Sequence, residues 1–542
     1  MDNADVIVIG SGMGGLTTAA LLARLHGRKV LVLERHYRAG GFTHTFSRPG
    51  GFSWDVGVHY VGELNLPGVM QQAVQVATGG RVRWATMPEG YDRLRFPGFE
   101  FVVRAGKEHF RADLRAAFPA ERAGIDRFFR DVEAATRWLP FLGARSLLPR
   151  PLLALASAWL GRNRALARLT TRQWLDAHLR DERLKGVLGA RWGDYGLPPA
   201  QSSFLAHAII TRHYLEGGLY PVGGAGELAR ACQAVIEAAG GEVRVNAGVA
   251  RILVEDGRAV GVELAQGEVL RAKVIVSDAG ARATFLKLLG PAVEVPFRVE
   301  LDRAPTGMAH LSLYLGLSAS PARLGLDGSN LWLHDEVDQD ALFARRDEVF
   351  SGTVPHATLF FPSLKDPEAH AHTAEVIVPV DSARFAAWAG TRWMKRGPEY
   401  LAMKAQLGDA ILARAEREVP GLSALVVRRE LSTPLSTEHF TGHRGGEIYG
   451  LEATPERFER TYLTSRTLVP GLFLAGADAL MLGIGGALMS GVMCTAAVAG
   501  LRTFPLLRTA ARGLPSPIVP GPAPGEVSGT SATGWASEPS TA

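Results

Sequence analysis

The chain opens on an apolar run, Val6-Ile-Val-Ile9, that stops at a glycine; an apolar helical repeat follows from about Met13 to Leu25, then a second run, Lys29-Val-Leu-Val-Leu33, closed by Glu34. Short continuous apolar runs bounded by turn residues mark strands covered on both faces, so this stretch predicts a strand–helix–strand unit of a parallel sheet. The pattern returns far downstream. After Gly223-Gly224, a helical stretch from about Glu227 to Ala239 leads into Glu242-Val-Arg-Val, a hairpin (Val249 to Val254 and Ala259 to Leu264, turning at Asp256-Gly257) and the buried run Lys273-Val-Ile-Val-Ser-Asp-Ala-Gly280. A last strand, Gly471-Leu-Phe-Leu-Ala-Gly476-Ala-Asp478, precedes Gly483-Ile-Gly-Gly486 and an apolar helix through Ala499.

Between these pieces the periodicity changes. Residues 111–215 read as amphipathic, aromatic helices such as Gly124 to Trp138, and residues 291–454 alternate strands (Ala309 to Leu317, Ala357 to Phe361, Glu375 to Val380) with a helix near Tyr400 to Glu418. The expected fold is α/β: a discontinuous Rossmann-type nucleotide-binding domain from 1–65, 215–290 and 455–505, carrying an inserted α+β substrate- and membrane-facing domain from 66–214 and 291–454. The segment 506–542 is expected to be partly disordered, because it turns Pro-, Gly- and Ser-rich after Gly513.

Charge and cysteine content narrow the function. The 59 basic and 54 acidic residues leave +5, too mild for nucleic-acid binding and compatible with an anionic membrane surface. Cys232 and Cys494 alone argue against a disulfide framework or a thiolate metal site. His370 and His372 sit in a polar turn without a matching ligand set, so no metal is expected. The stretch Trp138 to Leu160, with Arg145 and Arg150 inside and further arginines after it, suits interfacial insertion, while a packed helix pair explains it equally well. Without a basic, apolar leader, the chain is expected on the cytosolic side, peripheral to a membrane.

The chemistry begins at Gly10-x-Gly12-x-x-Gly15. Gly10 permits the tight turn, Gly12 close approach to a pyrophosphate and Gly15 close helix–strand packing, while the helix N-terminus offers free N–H groups; Gly14 and Arg35 belong to the same site. Glu34, 19 residues past Gly15, suits a ribose diol and repels a 2′-phosphate, leaving FAD or NAD. FAD is favoured by Gly40-Gly41, where backbone can lie against the cofactor, and by Asp478, which can accept from ribityl hydroxyls beyond Gly476. Gly485 and Gly486 can aim a helix start at the flavin. With no second Gly-x-Gly-x-x-Gly unit, electrons are expected from NAD(P)H bound transiently or from another donor.

Gly10-Ser-Gly-Met-Gly-Gly-Leu with Glu34, Gly40-Gly41 and Phe473-Leu-Ala-Gly-Ala-Asp478 resembles the flavin amine oxidase and phytoene desaturase superfamily. Asp55-Val-Gly-Val-His-Tyr-Val-Gly62, Trp192-Gly-Asp-Tyr-Gly196 and Gly217-Gly-Leu-Tyr-Pro-Val-Gly-Gly224 resemble most its retinol saturase and carotenoid isomerase branch. The resemblance implies an FAD-dependent oxidoreductase that delivers hydride to a double bond of a hydrophobic polyene such as retinol or a carotenoid, with isomerase or desaturase action as the alternative. It also implies Gly57, His59 and Val249 at the cofactor. The proton for the second carbon is expected from His59 or Tyr60, with Asp194, Tyr195 and His207 as second choices.

Overall fold

The computed structural model describes residues 4–148, 152 and 161–522. Val6–Ile9 lies at the middle of a five-stranded sheet in the order Leu472–Leu474, Val274–Ser277, Val6–Ile9, Val30–Leu33, Glu242–Arg244, all parallel. Its central strands carry no exposed position, which is why they read as unbroken apolar runs. The strands come from three chain segments separated by about 200 residues, and the hairpin Val249–Glu255 with Arg258–Leu264 packs beside them.

Helix Met13–His26 follows the first strand and is buried along most of its length, against helices Gly483–Ala499 and Gly226–Ala238. Helix Val69–Thr78 joins this group. Its residues Met70, Ala73, Val74 and Ala77 enter the core of the nucleotide domain, so the segment beginning at 66 supplies that domain before it crosses to the other. Helix Thr503–Ala511 packs there too, and Ile518–Val519 pairs in parallel with Trp84–Thr86, extending ordered structure past residue 505. An apolar helix face and a strand edge decide both placements, and neither is visible from Pro and Gly content.

A second sheet of seven strands runs Val426–Ser432, Ala309–Leu317, His372–Val380, His356–Phe360, Asn330–His334, Asp92–Phe96, Phe99–Val103. Its pairs are antiparallel except Asn330–His334 with Asp92–Phe96. Helix Gly397–Glu418 covers one face, with Leu407, Ile411 and Ala415 in the core. Helices Arg122–Thr136 and Phe204–His213 form an aromatic core on the other side with Trp174 and Trp192. Of the Trp138–Leu160 stretch, Leu139–Ala144 is helical with Leu142 and Gly143 buried, while residues 149–151 and 153–160 lie outside the described ones. No helix among the described residues is long and apolar enough to cross a membrane.

Candidate active site

One cavity of about 1100 Å3 begins between the ends of the parallel strands and continues beneath the seven-stranded sheet. The nucleotide end is lined by Gly10, Gly12, Glu34, Arg35, Gly40, Gly41, Val249, Gly476 and Asp478. Ligands of open α/β sheets bind beyond the carboxyl ends of the strands, which is where these residues fall.

Glu34 organises two turns. Its Oε2 accepts from the Ser11 amide at 2.9 Å and the Ser11 hydroxyl at 2.6 Å, and its Oε1 accepts from the His36 amide at 2.8 Å. Ser11 Oγ in turn accepts from the Gly40 amide, so one buried carboxylate ties the first glycine turn to the second. At Gly41, φ is +54°, and a side chain would begin 3.0 Å from Gly12 Cα. Only glycine lets these two backbones meet beside the cavity. Gly14 and Gly15 stand behind that surface, Gly14 against the Gly476 amide and Gly15 against the Gly10 carbonyl.

Asp478 lines the cavity and is also tied to the backbone around it. Both carboxylate oxygens already accept backbone amides, from Ala281 at 2.7 Å and Leu451 at 2.9 Å, so the residue clamps two loops at the cavity wall. Gly485 and Gly486 do not reach the cavity. Gly486 packs on the Met481 carbonyl and Gly485 beside His213 and Met70, whereas Gly483, Ile484 and Ala487 line it, because the helix turns its 483–484–487 face inward.

Asp278, absent from the sequence expectations, reaches into the glycine turn. Its carboxyl is held by the Gly12 and Gly15 amides, and burial, with Glu34 and Asp478 nearby, pushes it up to about 7. Its sequence signal is the acid closing the apolar run Val274–Ser277, the same position that Glu34 holds after Val30–Leu33.

Beyond the glycine turns the walls become aromatic and apolar: Trp192, Met308, Trp332, Phe360, Ile377 and Tyr449. The five expected catalytic residues divide here. His59 and Asp194 line the chamber, while Tyr60 stands one layer back with its hydroxyl 3.0 Å from Asp194 Oδ2. Tyr195 and His207 do not reach the cavity; they face each other at 3.2 Å within the helical core, where burial pushes His207 down to about 3. Helix Phe204–His213 turns His207 toward Phe128 and Phe204, and Tyr195, at the end of the turn Ala190–Asp194, follows it into that core.

His59 stacks on Phe360 with ring centroids 4.0 Å apart, and burial, aided by the positive charge of Lys365, pushes it down to about 3, so the imidazole is neutral. Asp194 is pushed up to about 7 by burial and by Asp92. Behind both runs a buried polar chain. Lys365 Nζ donates to the His59 carbonyl at 3.0 Å and to Asn330 Oδ1 at 2.6 Å; Asn330 Nδ2 and Trp332 Nε1 donate to Asp92 Oδ1 at 2.8 and 3.1 Å; Arg191 closes on Asp92 Oδ2 at 3.4 Å. This chain joins residues 59, 92, 191, 330 and 365, which is why a local reading of the sequence missed it.

Residues 13–296 match the family described as flavin containing amine oxidoreductase. The chain is 30% identical over 521 residues to the all-trans-retinol 13,14-reductase of Danio rerio, covering 91% of this chain and 85% of that one. It is 28% identical over 522 residues to prolycopene isomerase 1, chloroplastic, of an Oncidium hybrid cultivar, covering 91% and 84%. The solved structure of wild-type putrescine oxidase bound to putrescine shares the fold at a TM-score of 0.61 and 17% identity, over 94% of this chain and 98% of that one. The chain is thus an FAD-dependent oxidoreductase and belongs to the flavin-containing amine oxidoreductase family. Within it, the chain belongs to the branch of the all-trans-retinol 13,14-reductases and prolycopene isomerases.

The residues fit FAD: a buried acid at the second strand's end, glycine backbone packed at van der Waals distance along the cavity, and a chamber beyond for the ring and a second molecule.

Proposed function

We propose that this protein reduces a carbon–carbon double bond of a hydrophobic polyene, a retinol- or carotenoid-like molecule lying in the chamber between Trp192, Trp332 and Phe360. The observation that carries the reading is continuity: the nucleotide cradle and the aromatic chamber are one cavity. Flat apolar walls suit a flat conjugated chain, and burial of such a chain in them is the dominant source of affinity. Bound FAD supplies the two-electron redox chemistry.

The protein's share is to hold the polyene, exclude water and place a proton. His59 and Asp194 line the chamber with protons to give at neutral pH, His59 as a neutral N–H and Asp194 through its raised carboxyl. Tyr60, behind Asp194, orients it. The likeness to prolycopene isomerases favours one further outcome at the same site, a change of double-bond geometry without net reduction.

Access to so apolar a substrate favours work at a membrane surface, and exposed Leu66, Val69, Leu501 and Leu506, on or beside the packed helices Val69–Thr78 and Thr503–Ala511, support docking there. Electrons come from an external donor, NAD(P)H being the first to test.

The test is anaerobic incubation of dithionite-reduced holoprotein with retinol and with a cis-carotenoid, following flavin absorbance and product mass together. A gain of two hydrogens with flavin reoxidised supports reduction; unchanged mass with altered geometry and flavin still reduced supports the isomerase reading. Inertness toward both overturns the proposal.

A further inference from the structure

Behind His59 sits a group that the chemistry above leaves unused. Glu375 lies mid-strand in His372–Val380, in register between Tyr314 and Phe360, and is 1% exposed. Its Oε1 accepts from the Asp55 amide at 3.1 Å. Its Oε2 has no hydrogen-bond partner among the described residues and stands 3.1 Å from His59 Nδ1, close but off the hydrogen-bond axis. Both His59 nitrogens are likewise unsatisfied, in a ring that lines the chamber. An unpaired buried carboxyl oxygen facing an unpaired buried imidazole nitrogen is a pair that lacks only alignment, and such pairs tighten when a site is loaded.

The charges around the pair set where its proton lies. Lys365 brings one ammonium, in a box formed by the rings of Tyr60, Tyr220 and Phe360. Two carboxyls share that ammonium. Asp55 accepts from the Tyr220 hydroxyl and from the Ala225 amide at 2.8 Å, so both its oxygens are stabilised as acceptors. Glu375 has a donor on one oxygen only. A low-dielectric pocket with one cation and two carboxyls keeps one proton, and it belongs on the oxygen without a donor, Oε2.

Resting on the polyene-reductase reading, we propose that Glu375 is the proton reserve of His59: Glu375 Oε2–H passes its proton to His59 Nδ1 as His59 Nε2–H gives its own to the substrate. The balance closes. The π bond opens, one carbon gains the hydride supplied by the two-electron-reduced flavin, and the neighbouring carbon gains the proton from Nε2. His59 changes tautomer and stays neutral, and Glu375 is left a carboxylate. A solvent proton later arriving at Nε2 returns the Nδ1 proton to Glu375. His59 is thereby a catalytic residue that never needs the imidazolium that its burial forbids, and Glu375 is a positioning residue acting through it.

The other titratable groups facing the pair are consistent with a neutral Glu375. Burial pushes Glu375 up to about 8, Lys365 drawing it back only partly, and burial with Glu375 pushes Asp55 up to about 7. Tyr220 and Tyr314 are raised by burial, Lys365 is lowered by burial to about 8 beside Glu375, Asp92 and Asp55, and His310, lowered by burial to about 4, is neutral beside His59.

Two measurements on holoprotein decide it, one independent of turnover. Infrared difference spectra of wild type minus Glu375→Gln are expected to show a protonated-carboxyl C=O band at pH 6.5 that fades as pH rises through about 8; spectra that superimpose at pH 6.5 overturn the proposal. In single turnovers of the reduced protein, Glu375→Gln is expected to slow flavin reoxidation by polyene about 100-fold or more with the flavin spectrum unchanged, and to abolish the wild-type fall in rate above pH 8. Glu375→Asp, which keeps the acid, is expected to recover part of the rate. If Glu375→Gln does not hold flavin, the pH-dependent band in wild type and the rate of Glu375→Asp decide between the outcomes. Wild-type turnover matched by Glu375→Gln sinks the relay alone, whereas a wild type inert toward polyenes sinks the parent reading and leaves the infrared band to judge the proton on Glu375.

Discussion

Glu34→Gln isolates the carboxylate that ties the two glycine turns together. The change is isosteric, yet both oxygens of Glu34 receive N–H donors: Ser11 at Oε2 and His36 at Oε1. A glutamine has one acceptor oxygen, so in either orientation its NH2 opposes a buried backbone N–H. Stranding such a donor costs about 1–3 kcal/mol. In the apoprotein the turns can relax toward water; with FAD in place they cannot, so the cost falls on the bound state. At 1.4 kcal/mol per tenfold, the FAD Kd should rise between about 5- and 150-fold. Titrating deflavinated protein with FAD and following flavin fluorescence quenching measures this directly, with the apoprotein unfolding midpoint as control. A Kd within twofold of wild type would refute the reasoning, since it would mean that these turns bind FAD without the carboxylate's geometry.

Asp278, held near 7, should be neutral below about pH 6 and charged above about pH 8, where it adds to Glu34 and Asp478 against a pyrophosphate. FAD affinity should therefore fall with rising pH, by at most tenfold per unit, and Asp278→Asn should flatten the profile; equal slopes in calorimetric titrations at pH 6 and 8.5 rule this out. Asp92→Asn leaves the buried Arg191 without its carboxylate and should cost about 3–5 kcal/mol in urea unfolding of the apoprotein; a loss under 1 kcal/mol would show that Arg191 finds another partner. Tyr195→Phe removes one buried hydrogen bond to His207, so stability should drop by about 1 kcal/mol while single-turnover rates stay within about twofold of wild type; a rate collapse would return Tyr195 to the chemistry.

The nucleotide half was legible in the sequence because its signals are local. Glycine spacing, an acid at a strand end and unbroken apolar runs each follow from constraints on a few neighbouring residues, and Val6–Ile9, Met13–His26 and Val30–Leu33 fall where these place them. Apolar strands at Ala309–Leu317 and His372–Val380 were legible for the same reason. The short strands Asn330–His334 and Asp92–Phe96 were not, and their parallel pairing with each other joins positions more than 200 residues apart, which no local pattern announces. Helical phase could not be told at His207 and Gly486: a residue's neighbours in sequence say that it is buried, not which side of the helix meets the cavity.

The sequence by itself determined that this protein holds a dinucleotide, since the glycine turn and Glu34 make that site from contiguous chain. Only the tertiary structure decided what faces the bound cofactor. Glu375 and Lys365 read as isolated charges in apolar stretches, and their meaning depends on closure of the seven-stranded sheet, which removes water from both and brings them to His59 and Asp55. Desolvation is a property of the folded whole, and it is desolvation that turns an ordinary glutamate into an acid able to keep its proton at neutral pH.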